Sequence, residues 1–380
     1  MKKYIDQKQK EMLEMLEYLV NIDSGSYNKV GIDKIGTYFC SKYIELGFDI
    51  VSIHENEFGN HMVVKHRDAV NPEIIIVAHL DTVFSKGTAS KRPFTHDNNR
   101  AYGPGVIDMK GSLVTLYFAI SALRFYEDFS LKNIQIIFNS DEEVGSPSSR
   151  KIIEKYAANK KYALIMEPSR ANGKLVTSRR GGGKFTLKVT GIGAHSGIEP
   201  EKGASAIEEL AHKITKLHQL SDYEKGINVN VGLIKGGTTL NTIAPHAEAQ
   251  IEIRVNTLKQ AEELTNDIKD ICTAPDVEGT ELELKGGLTR PPMEKSAESI
   301  ELANVIKKIA SNIGLERIDG VATGGGSDAA FTSALGIPTI DGLGPVGGNA
   351  HSEDEYLEIK SLTERCLLLA KSIQELSRKS

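Results

Sequence analysis

Apolar residues in the first half of the chain repeat with two different spacings. Lys8 to Asn21 and Ile32 to Leu46 carry apolar side chains three and four residues apart, which predicts one-sided helices. The segment from Ile74 to Val83 begins as an unbroken apolar run, typical of a strand buried on both faces of a parallel sheet. Similar patterns predict helices at 110–126 and 148–158, and strands at 134–138 and 162–166. This β-α-β-α-β order predicts parallel strands joined by helical crossovers.

The pattern changes after Arg179. From Lys184 onward polar and apolar residues alternate, with Phe185, Leu187 and Val189 on one face, which predicts a half-exposed strand. Further patterns predict helices at 204–220 and 258–272, and strands at 227–234, 249–255 and 281–285. Their order, β-α-β-β-α-β, is that of a ferredoxin-like unit. A helix-rich segment then resumes the α/β pattern, and we expect the last strand at 337–340.

These patterns predict an α/β fold with two domains. The larger domain has a mostly parallel central sheet flanked by helices, and a smaller ferredoxin-like α+β domain interrupts it. We place the larger domain at residues 1–178 and 291–380 and the smaller one at 179–290. A length of 380 residues also favours two cores over one.

Composition narrows the possible partners. Apolar residues make up 40% of the chain and charged residues 26%, as in soluble globular proteins. A net charge of −5 argues against nucleic-acid binding. We expect no membrane-spanning stretch, and Met1 to Gln7 is not followed by the apolar core of a signal peptide. Cys40, Cys272 and Cys366 lack metal or redox spacing, so reduced thiols and a cytoplasmic location are predicted.

An imidazole or a carboxylate stands at the end of each predicted central strand. His79 and Asp81 end the first strand. Glu142 and Glu143 follow the second, and Glu167 ends the third. Ligands of such sheets bind beyond the carboxyl ends of the strands. Each residue also has an ordinary interpretation, because a histidine after a strand is often a hydrogen-bonded loop residue and an acidic run is often a solvated loop.

Two further candidates lie in glycine-rich loops, Asp108 and His351. Asp108 directly precedes a predicted helix, so by itself it could be an N-cap. Carboxylates and imidazoles without thiolates are typical of a zinc-type hydrolytic site, with cobalt or manganese as alternatives. Two metals need a bridging carboxylate and terminal ligands for each ion. Five residues suffice as ligands: His79, Asp108, Glu143, Glu167 and His351. Glu142 is then left to act as a base.

At this point the chain resembles a known family, the two-zinc metallopeptidases and amidohydrolases. The family includes glutamate carboxypeptidase of the carboxypeptidase G type, aminoacylases, acetylornithine deacetylase, succinyl-diaminopimelate desuccinylase and tripeptide aminopeptidase. The matching motifs run in the family's order over nearly the whole chain, and the glutamate carboxypeptidase branch is the most similar. They are 79–83 (HLDTV), 103–111 (GPGVIDMKG), 141–146 (DEEVGS), 166–169 (MEPS), 193–197 (GAHSG), 324–330 (GGGSDAA) and 348–352 (GNAHS).

The resemblance implies two divalent metal ions per chain, with zinc as the first expectation and cobalt or manganese as alternatives. His79, Asp108 and Glu167 would hold one ion. Asp108, Glu143 and His351 would hold the other. Asp108 would therefore bridge the two ions, and the peptide bond that follows it would be cis.

The resemblance also implies roles around the metals. Asp81 would accept the free ring N–H of His79 and fix its tautomer. Glu142 would act as general base on a water that both metals activate. The smaller domain would be a lid and the contact surface of a homodimer. On it His195 would stabilise the tetrahedral intermediate, and Asn241 would contact the substrate.

Recognition of a substrate carboxylate would fall to two arginines and a glycine-rich loop. Arg254 and Arg290 suit this role because a guanidinium matches a carboxylate bidentately. A surface arginine in a weak ion pair is the ordinary alternative for each. Gly325, Gly326 and Ser327 would add backbone N–H groups at the start of a helix, a natural anion site.

The sequence thus predicts a metal-dependent hydrolase that cleaves a peptide or amide bond next to a free carboxylate, most like a glutamate carboxypeptidase. The alternative is a deacylase of N-acyl amino acids, because the metal chemistry is shared and only the pocket differs. A binding protein that retains the fold without activity is a remote alternative. A cysteine hydrolase built on Cys40 is disfavoured, since Cys40 lies within a helical pattern away from any strand end.

Overall fold

The structure is a computed structural model that describes residues 1–315 and 318–379. Its helices, α1 to α11 in chain order, span Lys2–Gln7, Gln9–Val20, Lys29–Glu45, Thr88–Lys91, Gly111–Phe125, Arg150–Ala157, Ala206–Gln219, Leu258–Ile271, Ala297–Asn312, Ala329–Ala334 and Ile359–Lys379. Its strands, β1 to β16, span Phe48–Ile53, His61–His66, Ile74–His79, Thr95–His96, Arg100–Tyr102, Ile134–Asn139, Tyr162–Ile165, Leu175–Arg179, Gly181–Thr190, Asn228–Gly236, His246–Val255, Glu281–Arg290, Gly320–Thr323, Thr339–Ile340, Gly347–Gly348 and Tyr356–Glu358.

The central sheet has six strands in the order β1-β2-β6-β3-β7-β14. Strand β3 lies in its interior, runs parallel to β6 and β7, and buries all six of its residues. Strand β14 is also parallel to β7, whereas β1 and β2 form an antiparallel pair against β6. The prediction of an α/β fold with a mostly parallel central sheet is therefore confirmed.

Strands β1 and β2 of the central sheet lie outside the predicted set, and so do several shorter strands. Strands β15, β16, β5 and β4 form a second sheet in that order, and β8 pairs with β13. The expectation that 337–340 is the last strand is wrong, because β15 and β16 follow it. Strands of two or three residues are too short to show a period of two, so the sequence pattern does not reveal them.

The segment Val106–Phe125 corrects one expectation from the composition. By length and composition alone its 20 residues could cross a membrane, contrary to the prediction that no stretch reaches that threshold. However, 83% of its apolar window is buried inside the structure, as is typical of a core helix in a folded domain. Its helical part, α5, is apolar on nearly every side because it is enclosed by protein.

Two compact units make up the chain. The larger comprises residues 1–178, 295–323 and 327–379, and the smaller comprises 179–294 and 324–326. Each has its own buried apolar cluster. In the larger unit, the apolar stripe of α2 (Met12, Met15, Leu16 and Leu19) is buried, as its helical spacing predicts.

The smaller unit contains an antiparallel sheet in the order β10-β11-β9-β12, together with α7 and α8. This is the ferredoxin-like order that the alternating pattern predicts. Phe185, Leu187 and Val189 are buried on one face of β9. Strand β9 begins at Gly181, not at Lys184, because its glycines continue the pairing with β11 up to Val255. Glycines lack the side-chain alternation that marks a strand in the sequence.

Candidate metal centre

Two imidazoles and three carboxylates converge in the larger unit. His79 Nε2 lies 3.2 Å from Asp108 Oδ1 and 3.7 Å from Glu167 Oε1. His351 Nε2 lies 3.2 Å from Asp108 Oδ2 and 3.3 Å from Glu143 Oε2. The two oxygens of Asp108 therefore face two different imidazoles. The structure thus brings together all five residues that the sequence predicts as metal ligands.

Local structure explains how each side chain reaches this point. His79 is the last residue of β3, and Glu167 lies two residues beyond the end of β7. These parallel neighbours deliver both side chains to the same edge of the sheet. The peptide bond between Asp108 and Met109 is cis, as the family resemblance implies. His351 lies in the loop between β15 and β16 with a positive φ of 67°.

The spacing of the ligand atoms suits zinc. A tetrahedral ion with bonds of roughly 2.0–2.2 Å sets its ligand atoms about 3.3–3.6 Å apart, and the separations here run from 3.2 to 3.7 Å. Glu143 Oε1 is buried and has no hydrogen-bond donor within the described part of the chain. A buried carboxylate oxygen without a donor is costly unless a cation offsets it. The donor set therefore fits two divalent ions, and one oxygen of Asp108 would be available to each.

The close contacts in this cluster shift the pKa values of its imidazoles and carboxylates. Hydrogen bonds to Asp108 and Glu143 raise the pKa of His351 to about 10. Burial alone would lower the pKa of His79, but hydrogen bonds to Asp108 and Asp81 raise it well above its usual value. Burial likewise opposes ionisation of Asp108, yet the two imidazoles hold its pKa below the usual range. Burial raises the pKa of Glu143.

Asp81 contacts both His79 and the loop that carries the two glutamates. His79 Nδ1 lies 2.9 Å from the main-chain oxygen of Asp81 and 3.5 Å from its carboxylate. The ring is thus oriented mainly by the carbonyl and not by the carboxylate. The carboxylate instead accepts hydrogen bonds from the main-chain N–H of Glu142 and of Glu143, each at 3.2 Å, and from Ser26 Oγ at 2.7 Å.

Glu142 lies close to two of the predicted metal ligands, and with them it forms a group that could itself hold an ion. One of its carboxylate oxygens lies within 4.8 Å of ligand atoms of His79 and Glu167. A carboxylate at this distance is close enough to exchange a proton with a water on the same side of the site, either directly or after a small movement. Glu142 and Glu143 therefore take different positions although they are neighbours in sequence.

Buried polar groups hold the Glu142 loop in place. Asp141 is fully buried and accepts hydrogen bonds from the main-chain N–H and the hydroxyl of both Ser148 and Ser149. The buried carboxylate of Asp328 accepts hydrogen bonds from two side chains, Ser146 Oγ and Asn139 Nδ2. Sequence reasoning missed these residues and Ser26. Asp141 adjoins the two predicted glutamates, which is a usable signal, but nothing in the sequence links Ser26 or Asp328 to this loop.

The predicted substrate contacts His195 and Asn241 lie together in the smaller unit. Asn241 Nδ2 is 3.5 Å from His195 Nε2, and His195 Nδ1 accepts a hydrogen bond from Gly197 N. Arg254 is already paired, since its guanidinium donates to Glu252 Oε1 at 2.5 and 3.1 Å. For Arg254 the ordinary alternative of a surface ion pair is therefore the arrangement observed.

The glycine-rich loop is held by an arginine that sequence reasoning did not select. Arg179 is buried and donates to the main-chain oxygens of Gly325 and Gly326 at 3.0 and 3.1 Å. Arg290 packs so closely on Gly326 that a β-carbon there would lie 2.8 Å from Arg290 Cδ. Ser327 belongs to the larger unit, where its buried hydroxyl donates to Asp341.

The fold and this cluster define an enzyme of the metallopeptidase and amidohydrolase class. The chain belongs to peptidase family M20/M25/M40, whose model matches residues 75–375. It is similar to carboxypeptidase G2 of Pseudomonas sp. (strain RS-16), at 27% identity over 97% of this chain and 90% of that protein. It is also similar to acetylornithine deacetylase of Salmonella typhi, at 30% identity over 76% of each chain.

A solved structure shows the same fold. The aminopeptidase PepT of Bacillus cereus ATCC 10987 superposes with a TM-score of 0.78 at 22% sequence identity, over 97% of this chain and 99% of that one. The cysteine alternative finds no support, because Cys40 lies within α3 and burial raises the pKa of its thiol. A reactive cysteine needs the opposite shift.

Proposed function

We propose that this protein is a two-metal hydrolase that cleaves a peptide or amide bond next to a free carboxylate, with Glu142 as general base. The observation that carries the proposal is the position of Asp108, whose two oxygens each lie 3.2 Å from a different imidazole. Two bound divalent ions would lower the pKa of a water and polarise the scissile carbonyl. Glu142 would accept the proton of the attacking water and return it to the leaving nitrogen.

The short distances among these side chains support the proposed ligand set. His79, Asp108 and Glu167 would hold one ion, and Asp108, Glu143 and His351 the other. Zinc is the proposed metal because imidazole and carboxylate ligands at these separations suit it, and cobalt or manganese could replace it in the same site. Asp81 would keep His79 and the Glu142 loop in position through the hydrogen bonds described above.

The smaller domain, proposed at residues 179–290, would act as a lid and as the contact surface of a homodimer. His195 would stabilise the tetrahedral intermediate, and Asn241 beside it would contact the substrate. Arg290 and the loop at Gly325 and Gly326 would bind the substrate carboxylate. Arg254 would have to leave Glu252 to do so. We propose the cytoplasm as the location.

Two substrate classes remain, each with its own support. Similarity to carboxypeptidase G2 over nearly the full length of both chains favours peptides that end in a free carboxylate. Similarity to acetylornithine deacetylase favours N-acyl amino acids. We place the peptide first because the match to carboxypeptidase G2 covers 97% of the chain, against 76% for the deacetylase, and because a guanidinium such as that of Arg290 suits a terminal carboxylate.

The role of Glu142 is tested by Glu142→Gln in the zinc-loaded protein. The amide keeps the size of the side chain and cannot accept a proton, so kcat should fall roughly 10²–10⁴-fold. Metal content, measured by mass spectrometry of the desalted protein, should stay at the wild-type value. Glu353→Gln is the matched control, because Glu353 is an exposed glutamate close in sequence to His351. Undiminished turnover with both metals bound would reject the assignment.

The substrate class is tested with a panel assayed with and without a chelator. Dipeptides with C-terminal glutamate represent the first class, and N-acetyl and N-succinyl amino acids represent the second. We expect the higher kcat/KM for the peptides, and complete loss of turnover once the metal is removed. Higher values for the N-acyl amino acids would favour the deacylase. Turnover that survives the chelator would reject the metal mechanism.

A further inference from the structure

The Asp108 loop and the His351 loop leave the same small sheet. Strand β16 pairs with β15 on one side and with β5 on the other, in the register Tyr356↔Tyr102 and Leu357↔Ala101. The His351 loop joins β15 to β16, and the Asp108 loop follows β5. Arg100 reinforces the sheet, because its guanidinium lies 3.9 Å from the centre of the Tyr356 ring. Two metal ligands that are far apart in sequence thus depend on one sheet.

Glu355 ties the two loops together. It directly precedes β16, is 1% exposed, and points its carboxylate at the main chain of the Asp108 loop. Its Oε1 accepts from Ile107 N at 2.9 Å and from Asp108 N at 3.1 Å. Its Oε2 accepts from Gly105 N at 3.1 Å. Three main-chain donors on one loop are therefore satisfied by one side chain of the other.

The hydrogen bonds that the Glu355 carboxylate accepts come from these three main-chain N–H groups. Within the described part of the chain, no lysine or arginine forms an ion pair with Glu355. A buried carboxylate without an ion-pair partner must be offset by donors, and here the donors belong to the segment that carries Asp108. The hydrogen bonds of Glu355 thus go to a backbone, which includes the N–H of Asp108 itself, while the nearby buried Lys110 interacts with it only through its charge.

We propose that Glu355 is a positioning residue for the metal held by Asp108, Glu143 and His351. This inference rests on the proposed two-metal function. Two of the three ligands of that ion lie on the loops that Glu355 joins. The other ion takes only Asp108 from these loops, because His79 and Glu167 follow the buried strands β3 and β7. Loss of Glu355 should therefore weaken one metal more than the other.

The test compares Glu355→Gln and Glu355→Ala with the wild-type protein. Zn²⁺ is added to the metal-free full-length chain in competition with a chromophoric chelator, which gives the two binding steps without any activity assay. Removing such an outer contact weakens metal binding by roughly 10–100-fold in other metalloproteins. We expect a loss of that size in one step for Glu355→Ala and a smaller loss in the other step. Glutamine keeps one oxygen for Ile107 and Asp108, so Glu355→Gln should lie between.

Glu209→Gln is the matched control. Glu209 is a fully buried carboxylate in the smaller unit, which contains none of the five proposed metal ligands. It accepts from the main-chain N–H of Asp276 and Val277 and pairs with Lys213 at 3.1 Å. Its replacement should leave both zinc steps unchanged. Circular dichroism shows whether each variant is folded. If Glu355→Ala is unfolded, the comparison is made with Glu355→Gln alone.

The outcomes separate the inference from the function on which it rests. A selective loss in one step that is graded from glutamine to alanine supports the inference. Two wild-type steps that are unchanged in the Glu355 variants, or weakened equally, overturn it and leave the metal site standing. Failure of the wild-type chain to bind two ions overturns the proposed function itself.

Discussion

At the scale of single residues, Asp81 shows how one residue contacts two segments. Its main-chain oxygen orients the ring of His79, while its carboxylate accepts the N–H groups of Glu142 and Glu143. Asp81 therefore connects the proposed base and one proposed ligand to the end of β3. A change at its carboxylate should act on both glutamates.

Asp81→Asn tests this shared support. The amide nitrogen cannot accept a hydrogen bond, so either Glu142 or Glu143 loses its main-chain partner. We expect kcat to fall roughly 10–100-fold, as for other changes just outside a metal site. The control is Asp97→Asn, because the exposed Asp97 carboxylate also accepts two main-chain N–H groups, from Asn99 and Arg100. Steady-state kinetics and metal content are measured for both, and wild-type turnover in Asp81→Asn would contradict the role.

The imidazoles predict how zinc binding depends on pH. In the metal-free protein the pKa of His351 is raised to about 10, so its ring carries a proton below that pH. Zinc needs the neutral ring and must displace this proton. Affinity should therefore increase as pH rises toward about 10, with release of at least one proton per chain near pH 8. Calorimetry in two buffers of different ionisation enthalpy counts the protons. The His351→Gln variant should release fewer protons than the wild type when zinc binds. Equal proton release would contradict the assignment of His351 as a ligand.

At the scale of secondary-structure elements, the sequence pattern predicts the parallel strands β3, β6 and β7 but misses β1, β2 and the shorter strands. Strands β3, β6 and β7 are rich in apolar residues, so both their burial and the candidate residues at their ends could be predicted. Strands β5 and β16 form only through pairing between distant segments and carry no local period. The convergence of Asp108 and His351 could therefore be predicted only from the order of the family motifs, and not from the hydrophobic pattern. The hydrogen-bond partners of these loops could not be predicted from pattern at all.

Strand β3 should dominate the stability of the larger unit. Ile76 lies in its middle and is fully buried, so Ile76→Ala should destabilise this unit by about 2–5 kcal/mol. The control is Val51→Ala on the edge strand β1, where the side chain is 55% exposed and the change should cost about 0.5 kcal/mol or less. Denaturant unfolding is fitted as two transitions because the chain has two cores. Equal effects at the two positions would contradict the central role of β3.

At the scale of the whole molecule, each unit has its own core, and the smaller unit has a nine-residue edge strand, β10, with exposed apolar residues. Strand β10 pairs on one side with β11 and has no strand on the other side among the described residues. It exposes Leu233 and Ile234 at 64% and 67%. An exposed apolar edge is a template for pairing with another chain unless it is covered. This favours the smaller unit as the contact surface of the proposed homodimer.

Leu233→Lys tests the dimer, because a charge on an edge strand opposes pairing with a second copy. Symmetric pairing of two β10 strands would place the two Leu233 side chains near one twofold axis, so one substitution introduces two like charges at the contact. We expect wild-type protein to sediment at twice the 41.5 kDa chain mass and the variant at the chain mass. Val70→Lys is the control, since Val70 is 83% exposed in the larger unit. A wild-type chain that is monomeric at micromolar concentration would reject the pairing, whereas a dimer that survives Leu233→Lys would place the contact elsewhere.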